Sequence, residues 1–394
     1  MSEKKKSQIQ EILAEPVFQK KLARISVQEG LSHVQANINA ETYLDELFTE
    51  HNASVGIGFI ETFQFLLSQG YDKSIDVDAQ EIKQLAKVMR KHPVAFVLTH
   101  KSYIDLMVLS LVLARHGLPI PYLFAGINLD LFALGKVMRK NGIIFIRRSF
   151  KDNLIYKATL RHFITTLLNK QANFMWALEG TRSRTGKLVW PQMGILKYIM
   201  EADQDAASKV RYVPVSIVFD LIPDVAEMTE EGRGKKKKPE DFKWMYNYIR
   251  KMSKNNLGKI SLRIGTPTEL VKSTDFHIPD VEKASDEKIL DEGSVSKLAF
   301  DLIHKINKIT PITTVSLVCL SLLSKFALSK RGVESSVANL MSLIESHKAD
   351  ALVDRGQSIG KSVQEALNML TENGILLRHG DSLHTKYIVN REKY

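Results

Sequence analysis

From Val94 to about Thr268, short apolar runs alternate with longer amphipathic ones, the pattern of strands and helices wound around one sheet. The runs predict strands at Val94 to Thr99, Tyr122 to Ala125, Ile143 to Arg147, Phe174 to Leu178, Tyr212 to Phe219 and Ile260 to Ile264. Between them the spacing predicts helices over Tyr103 to His116, Leu129 to Lys140, Asn153 to Asn169, Met193 to Asp203 and Asp241 to Asn255. Residues 1–85 read as helical, with apolar positions Tyr43, Leu44, Leu47 and Phe48, then Ile60, Phe63 and Phe65 to Leu67, and are expected to cap the next domain. The expected class is α/β: a mixed central sheet flanked by helices over residues 86–278, with N-terminal and C-terminal helical additions. The C-terminal region, 279–394, reads as a charged loop from Pro279 to Gly293 and then mainly helix, with breaks expected at Gly332, Gly356 and Gly374.

Composition narrows the class of partner more than the fold. At 394 residues, 44% hydrophobic and 25% charged, the chain has globular proportions, so disorder is not its main state. Its one cysteine, Cys319, excludes an internal disulfide, and no His/Cys cluster has metal-ligand spacing, so a reducing compartment and a metal-free chemistry are expected. The charged start, Met1-Ser-Glu-Lys-Lys-Lys, leads into no apolar segment, which predicts no secretory signal and a place on the cytosolic side. The longest uncharged run, Ile309 to Ser324, contains Pro311 and several hydroxyl residues and falls short of the roughly 20 apolar residues a spanning helix needs. A net charge of +11 calls for an anionic partner: a phosphate-bearing substrate, anionic lipid or nucleic acid.

Three turns at strand ends carry the candidate chemistry. The first is His100-Lys101-Ser102-Tyr103-Ile104-Asp105, which follows an apolar strand and opens a helix, the end of an open sheet where ligands bind. A neutral imidazole there can take a proton from a hydroxyl, with a carboxylate on its other nitrogen to fix the tautomer. Ser102 followed by Asp105 also fits a capping box, a purely structural role. The second turn ends the Gly142-led strand in Arg147 and Arg148, whose forks suit phosphate, although a solvated strand end or an ion pair would use them too. The third is Glu179-Gly180-Thr181-Arg182-Ser183-Arg184-Thr185-Gly186-Lys187. In an extended segment Arg182 and Arg184 point the same way and can grip one phosphate, with Glu179 orienting them or serving as an ordinary ion partner. A fourth segment, Tyr212 to Phe219, reads as a core strand whose Pro214 suits a strand start or an edge, or as lining for an acyl chain.

In this order and at these separations, the four segments resemble the glycerolipid acyltransferases: His-x4-Asp, a Gly-led strand with arginine, Glu-Gly-Thr-Arg and a Val-Pro strand. The similarity covers Val94 to Phe219, with weaker likeness through Thr268 and at Ile306 to Pro311. The paired arginines after Ile146, and Leu178 where the lysophosphatidate enzymes carry proline, make it more like the glycerol-3-phosphate and dihydroxyacetone-phosphate enzymes. The resemblance implies acyl transfer from acyl-CoA or acyl carrier protein to the sn-1 hydroxyl of glycerol 3-phosphate, at a membrane surface with anionic lipids and without a cofactor. It implies His100 as general base, Asp105 as its orienting carboxylate, and Arg147, Glu179, Gly180, Thr181, Arg182 and Arg184 as the acceptor site, with Gly142 and Pro214 as shaping residues. Lys101 and Phe219 depart from the arginine and tyrosine common there.

Two rival readings have weaker support. Gly356-Gln-Ser358-Ile-Gly360 has the spacing of a hydrolase nucleophile elbow but follows a charged, helix-like segment instead of a buried strand. The run Lys235 to Lys238 is basic, yet no nucleic-acid module or interleaved aromatic residue accompanies it, so contact with lipid head groups or solvent is expected there.

Overall fold

The computed structural model describes residues 3–127, 130, 132–147, 149, 152–206, 209–236, 242–270, 292–347, 358–380 and 385–392. Its main sheet contains β1 (Asp76–Val77), β2 (Val94–Leu98), β3 (Tyr122–Gly126), β4 (Ile143–Ile146), β5 (Phe174–Ala177), β6 (Arg211–Phe219), β7 (Ile260–Ile264) and β8 (Thr268–Glu269). The order is β1-β7-β6-β2-β5-β3-β4, with β8 also on β6. All pairs are parallel except β6 with β7 and β6 with β8. The sheet is therefore mixed and mostly parallel, as the alternation of runs predicts. At its centre every residue of β2 is buried, which is why that strand is a continuous apolar run and not an alternating one.

The two faces of the sheet carry separate cores. Ala95, Val97, Phe174, Trp176 and Tyr212 point into one, where they meet the helices Pro16–Gln28, His33–Leu47, Leu154–Asn169, Met193–Asp205 and Glu292–Ile309. Val94, Phe96, Leu98, Met175, Val213 and Val215 point into the other, against the helices Ala53–Leu67, Ala79–Met89, Asp105–Arg115 and Phe242–Lys254. The N-terminal helices are thus a layer of the same body: Phe18, Leu22, Leu44 and Leu47 share one core with the sheet. Phe65, expected among the inward positions, is 64% exposed.

Pro214 occupies an interior strand rather than a start or an edge. Its carbonyl accepts from Gly265 N–H at 2.8 Å, and a strand residue's N–H and C=O point to the same side. The missing donor therefore faces Gly265, just past the end of β7, away from the pairing with β2. A side chain at Gly265 would stand 2.8 Å from the proline ring, so glycine is needed there.

The C-terminal region is not only helical. The helices Thr314–Lys325, Lys330–Ser346 and Ile359–Glu372 pack over a third core beside a small antiparallel sheet of β9 (Ala327–Ser329), β10 (Leu376–His379) and β11 (Lys386–Val389), in the order β10-β11-β9. Gly374, at φ +65°, follows the last helix as expected, but Gly332 lies in the first turn of its helix, where its N–H caps onto Ser329 Oγ. Gly356 and the stretch from Pro279 to Asp291 lie outside the described residues. Ser358 is the exposed N-cap of Ile359–Glu372. No helix among the described residues is long and apolar enough to cross a membrane.

Candidate active site

β2 and β5 are parallel neighbours, so the turns that follow them emerge side by side at one rim of the sheet. Two bonds lace these turns together. Glu179 Oε2 accepts from His100 N–H at 2.6 Å, and the His100 carbonyl accepts from Ser183 N–H at 2.8 Å. The other oxygen of Glu179 accepts from Val189 N–H at 2.9 Å. This carboxylate is buried and spent on backbone amides; it neither orients the arginines nor reaches the cavity.

The turn after β2 brings His100 and Asp105 together as their spacing requires. His100 Nδ1 lies 3.1 Å from Asp105 Oδ2, and the same oxygen accepts from Lys101 N–H at 2.7 Å and Ser102 N–H at 2.9 Å. The capping box is only half formed: Asp105 reaches back to the Ser102 amide, but Ser102 Oγ meets Tyr248 Oη and the helix N-cap is Ile104 without a side-chain cap. Asp105 is 1% exposed, its Oδ1 has no hydrogen-bond partner among the described residues, and a carboxylate there holds the proton of His100 on Nδ1. Nε2 is thereby left as the acceptor. Burial lowers the ammonium pKa of neighbouring Lys101, against the pull of Asp105 and Glu179.

Gly180 follows β5 at φ +66°, and a side chain on it would meet Gln192 at 2.8 Å, so the turn requires glycine on both counts. Beyond it Arg182 and Arg184 turn toward the same short helix, Val225–Gly232. Arg182 Nη1 is paired with Asp224, its Nη2 donates to Tyr103 Oη at 2.6 Å, and its guanidinium lies 3.6 Å from the centre of the Tyr103 ring. Arg184 Nε lies 2.6 Å from Glu231 Oε2, and Arg184 Nη1 donates to the Arg182 carbonyl at 2.7 Å. Burial raises the Asp224 carboxyl above its ordinary range, even against the lowering pull of Arg182. The Tyr103 ring packs edge-on to Trp244 and Tyr248, and Tyr248 Oη lies 3.1 Å from Ser102 Oγ.

Arg147 enters from β4, three strands from β2 and so roughly 14 Å along the rim. It is held bidentately by Glu46, with Nε 2.9 Å from Oε1 and Nη2 2.7 Å from Oε2, and it stacks over Tyr43 and Tyr156. Arg148 lies outside the described residues.

A single cavity of about 910 Å³ joins these groups: His100, Arg147, Gly180, Thr181, Arg182 and Arg184 all line it. The rest of its wall is mostly apolar, with Phe59, Ile60, Leu106, Met107, Leu123 and Phe124 among the contributors and His51, Asn141 and Gln192 among the polar exceptions. Such a space, charged at one part and greasy along most of the rest, can hold a phosphorylated alcohol beside a general base with an alkyl chain running away from both. Asp105 and Glu179 stand behind the wall. The arginine partners Glu46, Asp224 and Glu231 are functional candidates that sequence reading misses. Glu46 is 101 positions from Arg147, and Asp224 is 42 from Arg182, with no motif to tie either pair.

The chain is similar to known acyltransferases. Residues 79–218 match a family model described as Acyltransferase, and residues 228–394 match one described as Glycerol-3-phosphate acyltransferase C-terminal region. A Mycobacterium tuberculosis protein carrying the name acyltransferase plsB1 is 34% identical over 284 residues, covering 72% of this chain and 44% of that protein. A glycerol-3-phosphate acyltransferase of Alteromonas mediterranea is 29% identical over 346 residues, covering 85% of this chain and 41% of the relative. The chain spans under half the length of these curated relatives. Among solved structures, the 1-acyl-sn-glycerophosphate (LPA) acyltransferase PlsC from Thermotoga maritima matches with a TM-score of 0.33 at 13% identity, over 63% of this chain and 75% of that one.

Proposed function

We propose that this chain, which belongs to the acyltransferase family and carries a glycerol-3-phosphate acyltransferase C-terminal region, moves a fatty acyl group from a thioester to the sn-1 hydroxyl of glycerol 3-phosphate. The observation that carries the reading is the single cavity joining the His100–Asp105 pair to three guanidinium groups and an apolar wall.

The chemistry follows from the atoms present. His100 Nε2 accepts the proton of the acceptor hydroxyl as its oxygen bonds to the thioester carbonyl carbon; Asp105 stabilises the imidazolium through Nδ1–H. The tetrahedral intermediate then collapses, the C–S bond breaks, and the proton on Nε2 passes to the departing thiolate. The products are the acyl ester and a free thiol, with no covalent enzyme intermediate. Holding acceptor and thioester in line replaces a bimolecular encounter with a fixed geometry and supplies much of the rate. Arg147, Arg182 and Arg184 take the acceptor phosphate, Gly180 and Thr181 shape its approach, and Glu179 fixes the turn that carries His100.

The acyl donor in this reading is acyl-CoA or acyl carrier protein, and the enzyme works at an anionic membrane surface, which suits both the net charge of +11 and a greasy product. The test is a transfer assay with labelled acyl-CoA and acyl carrier protein against glycerol 3-phosphate, dihydroxyacetone phosphate, lysophosphatidate and glycerol. Labelled lysophosphatidate formed from glycerol 3-phosphate supports the reading. Transfer to lysophosphatidate or to glycerol in preference to glycerol 3-phosphate refutes the assigned acceptor.

A further inference from the structure

Asp224 and Glu231 lie seven residues apart, at the N-cap and the last turn of one helix, and two turns bring such residues back to one face. Each meets one of two cavity arginines, Arg182 and Arg184, the third being Arg147, but in unlike surroundings. The Arg182–Asp224 side chains are 4% and 1% exposed, and Arg182 is also held by the Tyr103 hydroxyl and ring. Arg184 and Glu231 are 27% and 14% exposed, and Glu231 stands where the helix gives way to a turn at Gly234, φ +95°.

These differences decide what an arriving phosphate does to each pair. Arg182 cannot leave Asp224 without stranding a buried carboxylate whose other oxygen, Oδ1, already has no partner among the described residues. It has five donor hydrogens and spends two of them on the described residues, so it can bind an anion while staying paired. Glu231 Oε2 is itself shielded from solvent and meets Arg184 as an ion pair without hydrogen-bond geometry, and with the guanidinium 27% exposed this pair holds less strongly than Arg182–Asp224. A phosphate brings more charge and three acceptor oxygens, and so displaces a lone carboxylate from a guanidinium at modest cost.

We propose that the two acids act in opposite senses: Asp224 is a positioning residue that presents Arg182 to the acceptor's phosphate, whereas Glu231 occupies the phosphate's place on Arg184 until the acceptor displaces it. The proposal rests on the phosphorylated-acceptor reading above. It makes Glu231 a specificity residue, because an uncharged alcohol gains nothing by pushing it aside.

The test uses the full chain and two readouts: the KM for glycerol 3-phosphate in the transfer assay, and calorimetric binding of inorganic phosphate without turnover. Glu231→Gln should lower both constants by about threefold or more, the size expected for removing a partly exposed competing charge. Asp224→Asn should raise both by about tenfold or more, with KM moving further than kcat, because a buried arginine loses its fixed partner. Tyr103→Phe should move in the same direction as Asp224→Asn by a smaller factor. If both acid variants shift affinity the same way, or Glu231→Gln weakens phosphate, the proposal is wrong. Should Asp224→Asn not fold, Glu231→Gln decides. If the wild-type chain binds phosphate but transfers acyl groups to no phosphorylated acceptor, the functional reading fails while the phosphate series still judges this inference.

Discussion

Single residues carry strong constraints here, and Gly142 shows how two of them coincide. Its φ is +78°, and a side chain on it would stand 2.2 Å from the ring of His51, which also lines the cavity. Gly142→Ala is therefore expected to cost about 1–3 kcal/mol, from positive φ and from the displaced ring together. Equilibrium denaturation should show a lowered midpoint; an unchanged one would contradict the local geometry. His162 makes a prediction with a definite sign. It stacks on Phe18 at 4.3 Å, and burial holds its pKa below the ordinary 6.5, although Glu15 pulls the other way. The unfolded chain thus takes up that proton first as pH falls, so the stability is complete above 6.5 and drops through the window beneath it. The thermal midpoint should fall between pH 7.5 and 5.5, and fall less in His162→Gln, which cannot titrate. Equal losses in both proteins would remove His162 as the cause.

At the scale of elements, the N-terminal helices are bound to the α/β unit more tightly than a cap would be. Leu44 and Leu47 are buried with Ala95, Val97 and Trp176, and Glu46 on the same helix holds Arg147. A chain of residues 86–394 should therefore lose cooperative unfolding and phosphate affinity together, while a separable cap would leave both intact; differential scanning calorimetry and phosphate titration tell these apart. Leu44→Ala in the full chain should cost about 2–5 kcal/mol, as for other fully buried leucines. What the sequence discloses at this scale follows from physics that is local. The six strands β2 to β7 and the helices between them are legible because short, mostly apolar runs of four to nine residues have few other fates. β1 and β8 are two residues long, and β9 to β11 form only by pairing with one another across intervening helices, so no periodicity announces them. The helix Val225–Gly232 is not among the expected helices; it is short and buries only Met228. With it went Asp224 and Glu231, and hence the partners of Arg182 and Arg184. The His100–Asp105 pairing is legible because its bonds lie within five residues, whereas the bonds from His100 to Glu179 and Ser183 are not.

Across the whole molecule, distant segments converge on one rim. The C-terminal unit is fastened near it: Asn373 Nδ2 donates to the Asn256 carbonyl at 2.7 Å, Asn256 Nδ2 donates to Glu372 at 3.1 Å, and Leu221, three residues before Asp224, packs on the third core. That fastening places the acidic helix against the arginines from outside, while Glu46 does the same for Arg147 from the N-terminal side. The sheet supplies the rest, since its parallel β2 and β5 present His100 and the basic turn together. The claim on which all of this depends is that His100 performs the proton transfer within the arginine-lined cavity. Its most direct measurement is thiol release from a long-chain acyl thioester as a function of glycerol 3-phosphate, comparing wild type with His100→Ala, each checked for native circular dichroism. The account predicts release that requires glycerol 3-phosphate in the wild type, and a loss of at least about a hundredfold in a folded His100→Ala protein. Acceptor-dependent release persisting near the wild-type rate in that variant would contradict it.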